Sequence, residues 1–90
     1  MEFEWDNGNQ LKSMVKHGIS REESEQVFIN FYVLRIDNSH SSLEVRFELI
    51  GKTDAGKVLF IIFTTRAEKI RVISARAASK NERKLYEKET

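Results

Sequence analysis

The chain contains no cysteine. That excludes disulfides, thiolate nucleophiles and thiolate metal sites, and it fits a reducing compartment. It has two histidines, His17 and His40, 23 positions apart, which is no recognised metal-ligand spacing. There is no Pro-rich linker, no internal repeat and no low-complexity tract, so residues 1–90 read as one domain with a single modest core. The longest uninterrupted apolar run, "VLFIIF" at 58–63, is far too short to span a bilayer. The first residues, "MEFEWDNGNQ", are acidic and lack the apolar stretch of a signal peptide. A cytoplasmic protein with no membrane partner is expected. "GKTDAGK" has the wrong order for a phosphate-binding P-loop and sits where a hairpin should turn.

A large charge of one sign is also missing, because the formal net charge is +1. Its distribution is more informative. Residues 1–45 hold four Lys/Arg against eight Asp/Glu, a balance of −4, while residues 46–90 hold eleven against six, a balance of +5. Asymmetry between halves points to a nucleic-acid surface, or alternatively to a solvated C-terminal helix rich in lysine.

The periodicities predict an α+β fold with two N-terminal helices, a mostly antiparallel four-stranded sheet and a C-terminal helix. "EFEW" reads as a short strand with Phe3 and Trp5 on one face. Asp6 looks like an N-cap, and Leu11, Met14 and Val15 give the first helix an apolar stripe. "KHG" ends it, with Gly18 suited to the left-handed position. Ser20 and Glu23 form a capping-box pattern opening a second helix, whose apolar face is Val27, Phe28 and Phe31. Strands are expected over 32–37, 43–51, 58–65 and 70–75. In the second, Leu43, Val45, Phe47 and Leu49 should face the core, with Glu44, Arg46 and Glu48 opposite. The third is apolar on both faces, as a covered strand would be. Ser79 and Glu82 repeat the capping-box pattern and open a helix to about residue 89.

Arg66, Arg71 and Arg76 stand five apart in the closing block "RAEKIRVISARAASKNER". Arginine is the residue type for gripping phosphate or carboxylate with a planar, permanently charged fork. Strict alternation puts Arg71 and Arg76 on opposite faces, unless the strand bulges or ends before Arg76. The alternative is that these arginines cover apolar surface or pair with glutamates.

"FEWD", "KHGIS", "HS" before a strand and "TTRAEKIRVISARAASKNERKLYE", in this order, resemble the BrnT family, the toxins of type II toxin–antitoxin modules, whose fold is related to the RelE toxins. The resemblance runs from Phe3 to about Glu87. It implies a metal-free, growth-inhibiting endoribonuclease acting on RNA, neutralised by a cognate ribbon-helix-helix antitoxin, with operator DNA bound only through the complex. Two positions depart from the family's usual pattern. Phe63 stands where members usually carry tyrosine, and Ser13 where they usually carry asparagine.

Cleavage by 2′-hydroxyl attack needs a base, an acid and cations for the charge building at phosphorus. Arg66, Arg71 and Arg76 are the leading phosphate candidates. His40, in the polar loop "DNSHSS", suits acid–base work, although a loop histidine is commonly just solvated. Glu44 is a candidate base or a partner for His40, and Arg46 a further RNA contact. Glu48 reads better as part of an ion-pair ladder. Lys16 and His17 are RNA-binding candidates that a helix C-terminus explains equally well. Trp5 and Tyr86 could stack on bases but are read first as packing residues. A catalytically silent member that binds only antitoxin or RNA, and a structural interaction domain, are the competing readings.

Overall fold

The computed structural model describes residues 1–37 and 44–90, with only the backbone of Leu11. Three capping boxes set the helices. Helix α1, Asn7–His17, starts at Asp6, whose side chain accepts from the Asn9 N–H at 3.1 Å while Asn9 Oδ1 accepts from the Asp6 N–H at 2.8 Å. It stops at Gly18, with φ 69° and an N–H donated to the Met14 carbonyl. Helix α2, Arg21–Ile29, and helix α3, Lys80–Glu89, open with the Ser20–Glu23 and Ser79–Glu82 boxes.

Strands β1 (Tyr32–Ile36), β2 (Phe47–Lys52), β3 (Val58–Arg66) and β4 (Lys69–Ala77) form one antiparallel sheet in the order β1-β2-β3-β4. The tight β3–β4 turn places Ala67 and Glu68 at φ 50° and 67°, a left-handed pair that short hairpins demand and that side chains other than glycine adopt at a cost. One face of the sheet, the inner one, carries Leu49, Leu59, Ile61, Phe63, Val72 and Ala75, packed against Val27 and Phe28 of α2. Fully burying each large aliphatic side chain contributes roughly 1.5–3 kcal/mol. Gly51 lets α2 come close, since a Cβ there would meet Val27 Cβ at 3.1 Å and the Val27 carbonyl at 3.2 Å. The outer face is partly covered by α3. Tyr86 is buried there, donates to the Phe31 carbonyl and has Lys52 over its ring.

The expected elements are present, with four corrections. "EFEW" is a single parallel bridge, Phe3 to Ile70, rather than a strand. The Glu4 N–H donates to the Ile70 carbonyl and the Ile70 N–H to the Glu2 carbonyl. The second strand begins at Phe47, so Val45 is half exposed. Leu43 lies outside the described residues. Phe31 lies past the end of α2 and is 56% exposed against Tyr86.

The fourth correction concerns α1. Two of the three residues of its predicted stripe are turned to solvent: Met14 is 46% and Val15 82% exposed. The side chain of Leu11 is outside the described set. Among its described side chains, α1 buries two polar ones, Asn9 and Ser13. The reason is its neighbour, the free edge of β4, which presents backbone N–H and C=O groups rather than an apolar face. Asn9 Nδ2 donates to the Val72 carbonyl, and Ser13 Oγ accepts from the Ala75 N–H, both at 3.0 Å.

Between those two contacts β4 bulges. Ile62 pairs with Ser74 but Phe63 pairs with Val72, so Ile73 is an extra residue. Removing its acceptor from the buried Ala75 N–H should cost about 1–3 kcal/mol. Ser13→Ala should therefore unfold in less denaturant than the parent, with an unchanged slope of the transition.

Candidate functional site

The bulge changes which side chains share a face. Before it, Val72 points inward and Arg71 outward; after it, Ala75 points inward and Arg76 outward. Arg71 and Arg76 thus lie on the same outer face by a bulge, one of the two routes the sequence left open; the other, a strand end before Arg76, is not taken, since β4 runs to Ala77. Two rows cross this face. Arg35, Glu48, Ile62 and Ser74 are in register, and Thr64 pairs with Arg71 beside them.

Two hollows open on this side and adjoin at Lys12, Arg46 and Ile73. The smaller, about 230 Å³, is cationic: Lys12, Arg46, Arg66 and Arg71 surround it, with Glu44 as the acid at its wall. The larger, about 350 Å³, has Phe60, Ile62 and Ile73 in its lining, with Glu48, Ser74 and Asp37 around them.

Each of the three candidate arginines is already held by carboxylate. Arg66 and Glu44 form a fork-to-fork pair, with Nε and Nη2 at 3.2 and 3.1 Å from the two oxygens. Arg71 Nη1 lies 2.9 Å from both Glu4 and Asp6. Arg76 grips Glu82 at 2.8 and 2.9 Å and lies over the Phe60 ring, 4.3 Å from its centre. These contacts tune the acids. Arg66 holds the Glu44 carboxyl below its usual range, and Arg71, with the Asn9 N–H, does the same for Asp6. Glu44 is therefore ionised at neutral pH, an acceptor and not a proton donor.

The structure brings together Arg66, Arg71, Arg46 and Glu44. It does not bring Arg76 to the cationic hollow, because Glu82 and Phe60 hold it beside α3. Lys16 and His17 are exposed in the last turn of α1, where a cation suits the negative end of the helix dipole, and line neither hollow. His40 lies outside the described residues. Glu48 pairs with Arg35 across β1–β2 at 2.8 Å, as the ladder reading expected. Trp5 packs against the core and donates to Glu25, and Tyr86 is the buried residue of α3. Phe63 stacks with Phe47 and meets Phe28 edge-to-face on the inner face, so its missing phenol lies away from the hollows. Ser13 completes the β4 edge.

Lys12 went unrecognised in the sequence, although it borders both hollows. Its signal was its place one turn from Asn9, on a helix whose inward face is polar. Among the described residues no three His, Asp or Glu side chains converge as metal ligands, and no helix is long and apolar enough to cross a membrane.

A four-stranded antiparallel sheet with two helices before it, one after it and an outer face bearing arginines defines a small α+β protein. The family model for the ribonuclease toxin BrnT of type II toxin–antitoxin systems matches residues 5–82, and the chain belongs to that family. The fold is similar to the 1.1 Å crystal structure of the Brucella abortus ribonuclease toxin BrnT, with TM-score 0.65 and 22% identity over 89% of this chain and 99% of that one. The comparison with curated proteins gives no match.

The Arg76–Glu82 pair gives a pH-dependent contribution to stability. Burial pushes the Glu82 carboxyl up, but hydrogen bonds from Arg76 and the Ser79 N–H outweigh it and hold the group below its usual range. A lowered native value means the unfolded chain binds the proton more readily. The contribution is complete above the ordinary glutamate range and is lost as pH falls through the native value. Glu82→Gln should accordingly lose less stability than the parent between neutral pH and about pH 3. Denaturant melts of both proteins across that range would show the flatter acid limb.

Proposed function

We propose that this chain is the toxin of its module, an endoribonuclease that cleaves RNA by 2′-hydroxyl attack without a metal ion and thereby arrests growth. The observation that carries the reading is the convergence of Arg46, Arg66 and Arg71 with Glu44 on one hollow. A phosphate entering it takes over the guanidinium forks of Arg66 and Arg71. Glu44, released from Arg66, accepts the 2′ proton. The 2′ oxygen then bonds to phosphorus, the bond to the 5′ oxygen breaks, and a cyclic phosphate and a 5′-hydroxyl result. The arginines offset the charge that builds on the phosphorane oxygens. His40 is the candidate acid for the leaving oxygen.

Arg66→Ala and Arg71→Ala should each lower cleavage by about 10²-fold, while Arg76→Ala should act mainly through stability. Lysine at 66 or 71 should restore little, because the fork is lost while the charge stays. Assays of purified variants on RNA in EDTA, each beside a melting curve, test the reading. Parent activity that EDTA abolishes and one divalent ion restores overturns the metal-free mechanism. Full activity in folded alanine variants removes the arginines from the chemistry. The second reading, a silent antitoxin- or RNA-binding member, is favoured by the carboxylates already seated on Arg66, Arg71 and Arg76; an inactive parent that still binds antitoxin selects it.

The proposed partner is a ribbon-helix-helix antitoxin, with operator DNA bound through the complex. The outer face, which α3 covers only in part, is the proposed antitoxin surface. The toxin expressed alone should self-associate, and co-expression with its antitoxin gene should give a monodisperse complex by size exclusion and light scattering. A monodisperse lone chain that does not bind that gene's product removes this surface.

A further inference from the structure

The cationic hollow accounts for a phosphate and leaves the larger hollow beside it without a role. That hollow has a floor of Phe60, Ile62 and Ile73, with the Arg76 guanidinium at the Phe60 ring, and Asp37, Glu48 and Ser74 among the charged and polar groups of its walls. Such a surface is poorly suited to a phosphate and well suited to a planar, uncharged group with a polar rim. The two hollows meet at Lys12, so a ligand can run from one to the other without leaving the groove.

Lys12 differs from the arginines around it. Arg66 and Arg71 are tied to Glu44, Glu4 and Asp6, whereas Lys12 has no hydrogen bond or ion pair among the described residues. Its ammonium can meet a phosphate without first displacing an acid. It is also exposed on α1, which Asn9 and Ser13 fix to the edge of β4, so its stem starts from a rigid support.

We infer that the groove binds one nucleotide of single-stranded RNA across both hollows, its base on the Phe60–Ile62–Ile73 floor and its phosphate bridged by Lys12 to Arg66 and Arg71. This deepens the ribonuclease reading and rests on it for the nature of the ligand. The base must be unpaired, because a base in a duplex keeps its faces stacked and its edge occupied. The β4 bulge contributes directly: Ile73, the inserted residue, borders both hollows.

The test uses the full chain and a dinucleotide with 2′-deoxyribose at the scissile position, which binds but cannot react. Inorganic phosphate is the second probe. Binding is followed by NMR of the isoleucine methyls and by titration at several salt concentrations. The dinucleotide should shift Ile62, which lines only the larger hollow, and phosphate alone should not; Ile73, which borders both, should move with either probe. Lys12→Ala should weaken the dinucleotide by roughly tenfold and make its salt dependence shallower by about 0.7 in the logarithmic slope. Ile62→Asn should weaken the dinucleotide roughly tenfold and leave phosphate binding unchanged. Lys84→Ala, an exposed charge on α3, is the control for a general charge effect.

The proposal is overturned if the dinucleotide binds no tighter than phosphate, or if Lys12→Ala and Ile62→Asn both bind it like the parent. It is also overturned if the shifted methyls lie on the inner face. A parent that cleaves RNA while these variants bind unchanged leaves the ribonuclease reading standing and removes this site. A parent that binds the dinucleotide across both hollows yet does not cleave RNA supports the site and removes the catalytic reading.

Discussion

The free edge of β4 has to be satisfied before the rest of this molecule can be assembled. An edge strand exposes backbone donors and acceptors, and where it is buried each needs a partner. Here the partners come from far away in the chain. Glu2 and Glu4 pair with Ile70 through their backbones, and Asn9 and Ser13 of α1 take Val72 and Ala75 through their side chains. The bulge sits between the two side-chain contacts, so the same clamp that protects the edge borders its irregularity. The bulge in turn lets Val72 and Ala75, three positions apart, both enter the core while Arg71 and Arg76 stay outside it.

The two faces of the sheet are consequently unlike. The inner face is aliphatic and aromatic and is sealed by α2. The outer face is divided. Near α3 it carries Arg76, which ties the helix to the sheet through Glu82 and lies over the Phe60 ring at the margin of the larger hollow. Near the β3–β4 turn and the start of α1 it carries the cationic hollow. The five-residue spacing of the arginines therefore does not describe one site. Arg66 and Arg71 belong to the hollow, and Arg76 fastens α3 to the sheet through Glu82.

Helix starts were legible in the sequence because capping boxes are local: Ser20 with Glu23 and Ser79 with Glu82 need nothing beyond three residues of chain. The α+β class was legible for a similar reason, since period two and period 3.6 separate cleanly here. The orientation of α1 was not. Apolar Met14 and Val15 suggested a buried stripe, but the surface that receives this helix is a strand edge, and only polar side chains can satisfy it. Nor was the position of the bulge legible, because Ile73 is neither glycine nor any other turn residue, and the side chains that flank it are about sixty positions away. The site was half legible. Residue type singled out Arg66, Arg71, Arg46 and Glu44, while Lys12 depended on knowing which face of α1 turns toward the sheet.

The carboxylates on Arg66 and Arg71 act as counterions that the protein supplies to itself. A polyanion binding to bare cations gains entropy by releasing its own condensed salt ions, which makes its affinity fall steeply with salt. At this surface part of the exchange is internal: a phosphate that takes a guanidinium sets free a tethered carboxylate, which stays nearby and repels it. The groove is thereby biased against loose electrostatic capture of any long anion. On the proposed reading it would favour a ligand whose neutral parts also fit, and a net charge of +1 would add little unspecific attraction for other nucleic acids.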